Sequence, residues 1–135
     1  MIQTLKNIIR WGIISIRQNN EEATFCWKIS RKDGEIFFQK QSAQDIYNTF
    51  RAYISWPGVF TFFEEKRIVL DVVSLTHEKW KTPGEFIKIG NKKFGIVCSD
   101  HSVLELQEIK LAWKKATNIM SFINGNKNVI WYKFK

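Results

Sequence analysis

The sequence predicts a mainly β fold with short helices: a small antiparallel barrel of the oligonucleotide-binding type, preceded by a helix and a linker. Three observations carry this. From residue 59 onward, β-branched and aromatic runs follow one another between turn signals. No helical pattern of crossover length separates any two of them, which excludes a parallel α/β sheet. At 135 residues and 44% apolar, the chain is one domain's worth of sequence with enough apolar surface for a core, and short antiparallel strands hide their edges best by closing.

Taken in order, Ile2, Leu5, Ile8 and Ile9 recur at helical spacing, and Gly12 is placed to end that helix. Residues 13–30 have no clean period and read as a linker that begins extended and then lies against the domain. Lys32-Asp33-Gly34-Glu35 is a turn signal. Ser42 opens the clearest helix, over 42–54, with Ser42 and Asp45 set as a capping box. Ile46, Phe50, Tyr53 and Ile54 form its apolar stripe, which is expected to pack on the barrel, and Pro57 stops it. Strands are expected at 59–63 and 68–75 around a polar loop, Glu64-Glu65-Lys66-Arg67. Pro83-Gly84 is a turn; 86–89 and 93–98 form a hairpin about Gly90-Asn91. A turn over 99–102 leads to a strand over 103–111. A short helix over 118–124, capped by Thr117 or Asn118 and ended by Gly125, precedes a last strand over 129–134.

The charge is uneven. Residues 1–75 hold ten Lys/Arg against eight Asp/Glu, whereas residues 76–135 hold eleven lysines against five acids. Lysine is a hydrated point charge, suited to loose attraction to a polyanion rather than to bidentate reading of a base. The plain alternative is a solvated basic surface. No enzyme signature is present: His77 and His101 are isolated, Cys26 and Cys98 have no CxxC or His partner, and no phosphate-binding glycine loop occurs. With two cysteines and no apolar run long enough for a membrane helix, the expected setting is the reducing cytoplasm, with no membrane partner.

Several stretches resemble the C-terminal domain of methionyl-tRNA formyltransferase, with the linker that precedes it. Ala23-Thr24-Phe25-Cys26-Trp27-Lys28-Ile29 is similar to the family's linker, and Asp33-Gly34-Glu35-Ile36-Phe37-Phe38 to the segment that follows it. Ser42-Ala43-Gln44-Asp45-Ile46-Tyr47-Asn48 with Arg51-Ala52 resembles its helix, and Trp56-Pro57-Gly58-Val59-Phe60-Thr61 its most specific stretch. Lys114-Lys115 and Phe122-Ile123-Asn124-Gly125 resemble the close of the domain. Cys98-Ser99-Asp100-His101, Trp113 and Thr117 depart from the family pattern.

The resemblance implies three parts: residues 1–20 as the end of an N-terminal catalytic domain, 21–41 as interdomain linker, and 42–135 as the barrel. It implies a tRNA-binding domain that holds initiator Met-tRNA through a basic, largely sequence-independent surface for N-formylation in translation initiation. The catalytic domain would act in cis or in trans and would use 10-formyltetrahydrofolate; no cofactor, catalytic or metal site is expected among these residues, and a monomer is expected. The C-terminal barrel of a sugar N-formyltransferase or of formyltetrahydrofolate dehydrogenase, or a stand-alone nucleic-acid-binding module, stays open as an alternative. The tRNA-binding candidates are Lys28 in the linker and Lys88, Lys92, Lys93, Lys114, Lys115 and Lys127 in or beside turns. Trp80, Trp113 and Trp131 are candidates for stacking on bases.

Overall fold

A computed structural model describes residues 2–12, 17–112 and 114–135. Trp113 and the start of the linker, 13–16, lie outside the described residues. Helix α1 spans Ile2–Trp11 and ends at Gly12, which has φ +76° and donates its N–H to the Ile8 carbonyl at 3.0 Å. None of its residues is buried. The linker does not lie against the domain where the sequence reading put it. Residues 21–30 are exposed throughout, Phe25 and Trp27 almost completely. Burial begins at Gly34, and the first core side chain is that of Ile36, whose N–H donates to the Phe60 carbonyl at 2.9 Å.

Helix α2, Ala43–Tyr53, is capped by Ser42, whose Oγ accepts the Asp45 N–H at 3.0 Å. Ile46 and Phe50 are buried as the stripe requires. Ile54 is not: it stands at the C-cap, its backbone still helical, and is 65% exposed beyond the last buried turn of the stripe. Gly58, at φ +76°, turns the chain back and donates to the Tyr53 carbonyl.

Six antiparallel strands follow: β1 Val59–Phe63, β2 Lys66–Lys79, β3 Phe86–Gly90, β4 Lys93–Val97, β5 Ser102–Leu111 and the two-residue β6 Thr117–Asn118. Between β5 and the later residues, β6 pairs back on β5, and helix α3, Ile119–Gly125, starts at once with Asn118 as its cap. Two turns are tighter or shifted relative to the sequence reading. The β1–β2 turn is only Glu64-Glu65, both at positive φ, so Lys66 and Arg67 belong to β2. The β3–β4 turn is Asn91-Lys92, with Lys92 at φ +61°.

The sheet runs β1-β2-β5-β4-β3, with β1 and β3 at its edges. The mainly antiparallel class with short helices therefore stands, but among the described residues no strand pairing joins the two edges. Side chains and two covering segments do that work. Glu35 bridges Phe60 beside β1, and Lys133 bridges Glu85 just before β3. Phe134 donates its N–H to the Gly84 carbonyl at 2.8 Å and accepts from the Gln39 amide at 2.6 Å, which ties the two covers together. Its ring is fully buried and meets those of Phe38, Phe63, Phe86 and Tyr132 at centroid distances of 5.0–6.4 Å.

The strand expected over 129–134 is thus absent. Lys127–Trp131 is a 3₁₀ turn instead. Its bonds are local: Val129 donates to the Asn126 carbonyl and Tyr132 to that of Val129. Val129 and Phe134 point inward while Ile130 and Trp131 are exposed, a spacing a strand does not give.

Candidate nucleic-acid interface

Strand direction decides which lysines can act together. In an antiparallel sheet, the end of one strand lies beside the start of its neighbour. Phe63 pairs with Lys66, Ile68 with Leu111, and Phe94 with Leu106. The β1–β2 turn, the β3–β4 turn and the end of β5 therefore share one end of the sheet. Lys92 is in the β3–β4 turn, Lys93 opens β4, and Lys88 lies opposite Phe94 on β3. Lys114, just beyond β5, donates its N–H to the Leu111 carbonyl at 3.0 Å, and Lys115 follows it. Lys127 precedes Asn128, whose amide donates to the Glu64 carboxylate in the β1–β2 turn. All six are exposed. Lys28 is exposed as well, but it lies in the linker, and no hydrogen bond among the described residues ties it to this end.

The six are not equivalent. Lys93 Nζ is 3.3 Å from Glu105 Oε2, the single ion pair among the described residues. Glu105 is 8% exposed in the middle of β5, and the Ser74 hydroxyl donates to the same oxygen. Lys93 therefore serves first to neutralise a buried carboxylate. The other five lysines carry charge toward solvent.

Two hollows flank β6 at this end. One, of about 440 Å³, is bordered by Lys92, Glu105, Gln107 and Asn118. The other, of about 720 Å³, is bordered by Lys66, Arg67 and Lys114 on one side and by α3 on the other. Lys66 and Arg67 were missed in the sequence because a four-residue loop absorbed them. The signal that finds them is register: a two-residue turn puts Arg67 opposite Phe62, with Phe60 diagonal to it on the same face. Of the stacking candidates, Trp80 lies at the other end of the sheet, beside His101, whose Nδ1 is 3.2 Å from the Trp80 carbonyl. Trp131 is 88% exposed.

Residues 28–127 match the family model described as "Formyl transferase, C-terminal domain". The chain belongs to this family. Among curated relatives, the methionyl-tRNA formyltransferase of Caldicellulosiruptor saccharolyticus is 31% identical over 130 residues, covering 94% of this chain and 40% of that protein. The one from Koribacter versatilis is 34% identical over 128 residues, covering 93% and 39%. This formyltransferase C-terminal domain thus spans about two fifths of the length of the curated relatives it matches. Among solved structures, a variant of HypX from Aquifex aeolicus superposes with TM-score 0.63 at 13% identity, over 92% of this chain and 22% of that one. At that identity the likeness speaks for the fold alone.

Burial pushes the Cys98 thiol up to about 12, with the Asp100 charge adding to the effect, so it is an inert packing residue. Burial also works to raise Asp100, but hydrogen bonds from the Ser102 hydroxyl and N–H outweigh it and hold that carboxyl below its ordinary value. Among the described residues there is no group of three His, Cys, Asp or Glu able to hold a metal, and no helix long and apolar enough to cross a membrane.

Proposed function

We propose that this formyltransferase C-terminal domain holds initiator Met-tRNA, through a basic and largely sequence-independent surface, for N-formylation by a methionyl-tRNA formyltransferase in the cytoplasm. The observation that carries the reading is that the lysine-bearing turns share one end of the sheet, so their charges can act on one polyanion. The curated relatives, named as methionyl-tRNA formyltransferases, support tRNA as that polyanion. Residues 1–20 are read as the end of a catalytic domain that uses 10-formyltetrahydrofolate, residues 21–41 as the linker and 42–135 as the tRNA-holding unit, working as a monomer. Lys28 is read as a contact from the linker, Lys88, Lys92, Lys114, Lys115 and Lys127 as phosphate contacts, and Lys93 as a weaker one because Glu105 already pairs it. Such contacts position a nucleic acid and carry no base identity.

The test is tRNA binding at several salt concentrations. If about four lysines each neutralise a phosphate, log K falls with log salt at a slope of roughly −3. Initiator and elongator tRNA should bind alike. Replacing Lys92, Lys93, Lys114 and Lys115 together by alanine should flatten the slope. A triple variant that keeps Lys93 should flatten it nearly as much, because Lys93 is held by Glu105. Salt-independent binding, or an unchanged slope in both variants with the circular dichroism intact, would overturn the reading.

A further inference from the structure

The larger hollow beside β6 is built differently from a surface with lysines on it. Three cations, Lys66, Arg67 and Lys114, border it, together with the residues Thr117 and Ser121, which carry hydroxyls; among the described residues, Glu65 is the only acid on its rim. Arg67 is held in place from below. Its guanidinium carbon stands 3.8 Å from the centroid of the Phe60 ring, and Phe60 is itself buried and packed edge-on against Phe62. Arg67 Nε is buried and, among the described residues, has no hydrogen-bond partner. A guanidinium held over a ring has already given up much of its freedom, so little more is lost when it grips a planar pair of oxygens. A buried N–H with no acceptor is the kind of group that a ligand oxygen satisfies.

We propose that this hollow is a phosphate site, in which the Arg67 guanidinium donates to two non-bridging oxygens of one RNA backbone phosphate while Lys66 and Lys114 supply charge around it. The phosphate's source rests on the tRNA reading above. The site itself does not, and the experiment separates the two. Arg67 would be the one directional contact on an otherwise diffuse basic end, fixing where along the RNA backbone the domain sits.

The experiment uses the full 135-residue chain. The Arg67 Nε–Hε cross-peak is followed by NMR, assigned by its loss in Arg67→Lys, while tRNA or inorganic phosphate is added. The expected result is a saturable shift of that peak with both. Arg67→Lys should weaken tRNA binding about fivefold or more at fixed salt, with the salt slope unchanged because the charge is kept. If tRNA binds with its salt slope but the peak stays still and Arg67→Lys binds as the wild type does, the phosphate site is overturned and the tRNA reading survives. If phosphate moves the peak but tRNA neither binds nor competes, RNA as the source is overturned. The peak is read on the wild-type chain, so the test does not depend on any variant folding.

Discussion

Phe134 is the side chain on which closure of this open sheet turns, and replacing it by alanine measures how much. The ring is fully buried and lies against four other aromatic rings contributed by four separate parts of the chain. Removing a buried phenylalanine costs about 3–5 kcal/mol when its surroundings relax only in part. Each aromatic pairing adds roughly 0.5–1.5 kcal/mol beyond area burial, and several are lost at once. The upper part of the range is therefore expected, ~4–5 kcal/mol, against a total stability of about 5–15 kcal/mol for a domain. In urea, with a slope of about 1–3 kcal/mol per molar, the midpoint should fall by more than ~1 M. Phe134→Leu should fall between the two, since it refills much of the volume. If Phe134→Ala loses less than about 1 kcal/mol, the last residues fray from the sheet without consequence and the account of its closure is wrong.

Other outcomes follow from the same packing. A Cβ on Gly95 would stand 2.7 Å from the Leu104 carbonyl oxygen and 2.6 Å from Val103 Cγ1, so Gly95→Ala should cost about 1–3 kcal/mol; Gly125→Ala, where nothing lies within 4 Å, should stay within about 0.5 kcal/mol by the same denaturation. Cys26 is exposed and Cys98 buried, so Ellman's reagent should titrate one thiol in the native chain and two after denaturation. The raised Cys98 value also sets a pH dependence. The unfolded thiol loses its proton near 9 and the folded one only near 12, so the contribution is whole below pH 9 and is lost as pH rises toward 12. That loss amounts to ~4 kcal/mol and should be smaller in Cys98→Ala, which is read as the fall of the urea midpoint with pH.

Local chemistry was enough to place most elements. Ser42 and Asp45 mark the start of α2, Gly12 the end of α1, and the β-branched runs mark β1, β4 and β5. These signals lie within a few residues of what they control. The misreadings share a cause. Val129-Ile130-Trp131-Tyr132-Lys133-Phe134 has the composition of a strand, yet the choice between a strand and a 3₁₀ turn was made by the aromatic cluster that takes Phe134 and by the Asn126 carbonyl that takes Val129. Ile54 continues the stripe of α2 in sequence, but at the C-cap it lies beyond the buried turns and is exposed.

The candidate site divides in the same way. An excess of lysine near turns is visible in the sequence, and with it the expectation of a polyanion. That those turns share one end of the sheet depends on β5 lying between β2 and β4, a long-range pairing that no local signal encodes. That Lys93 is tied to Glu105 depends on the same pairing, since Gly95 and Glu105 face each other across it. Arg67 is the sharpest case. In the sequence it is one charge in a polar tetrapeptide. In the fold, a turn two residues shorter makes it a strand residue with its guanidinium laid over Phe60 and its Nε without an acceptor. Neighbours along the chain set most of the elements and the sign of the charge, which is why both are legible without the fold. Which charges lie together, and which one is held rigid, depends on residues brought together from far apart, and so is legible in the fold alone.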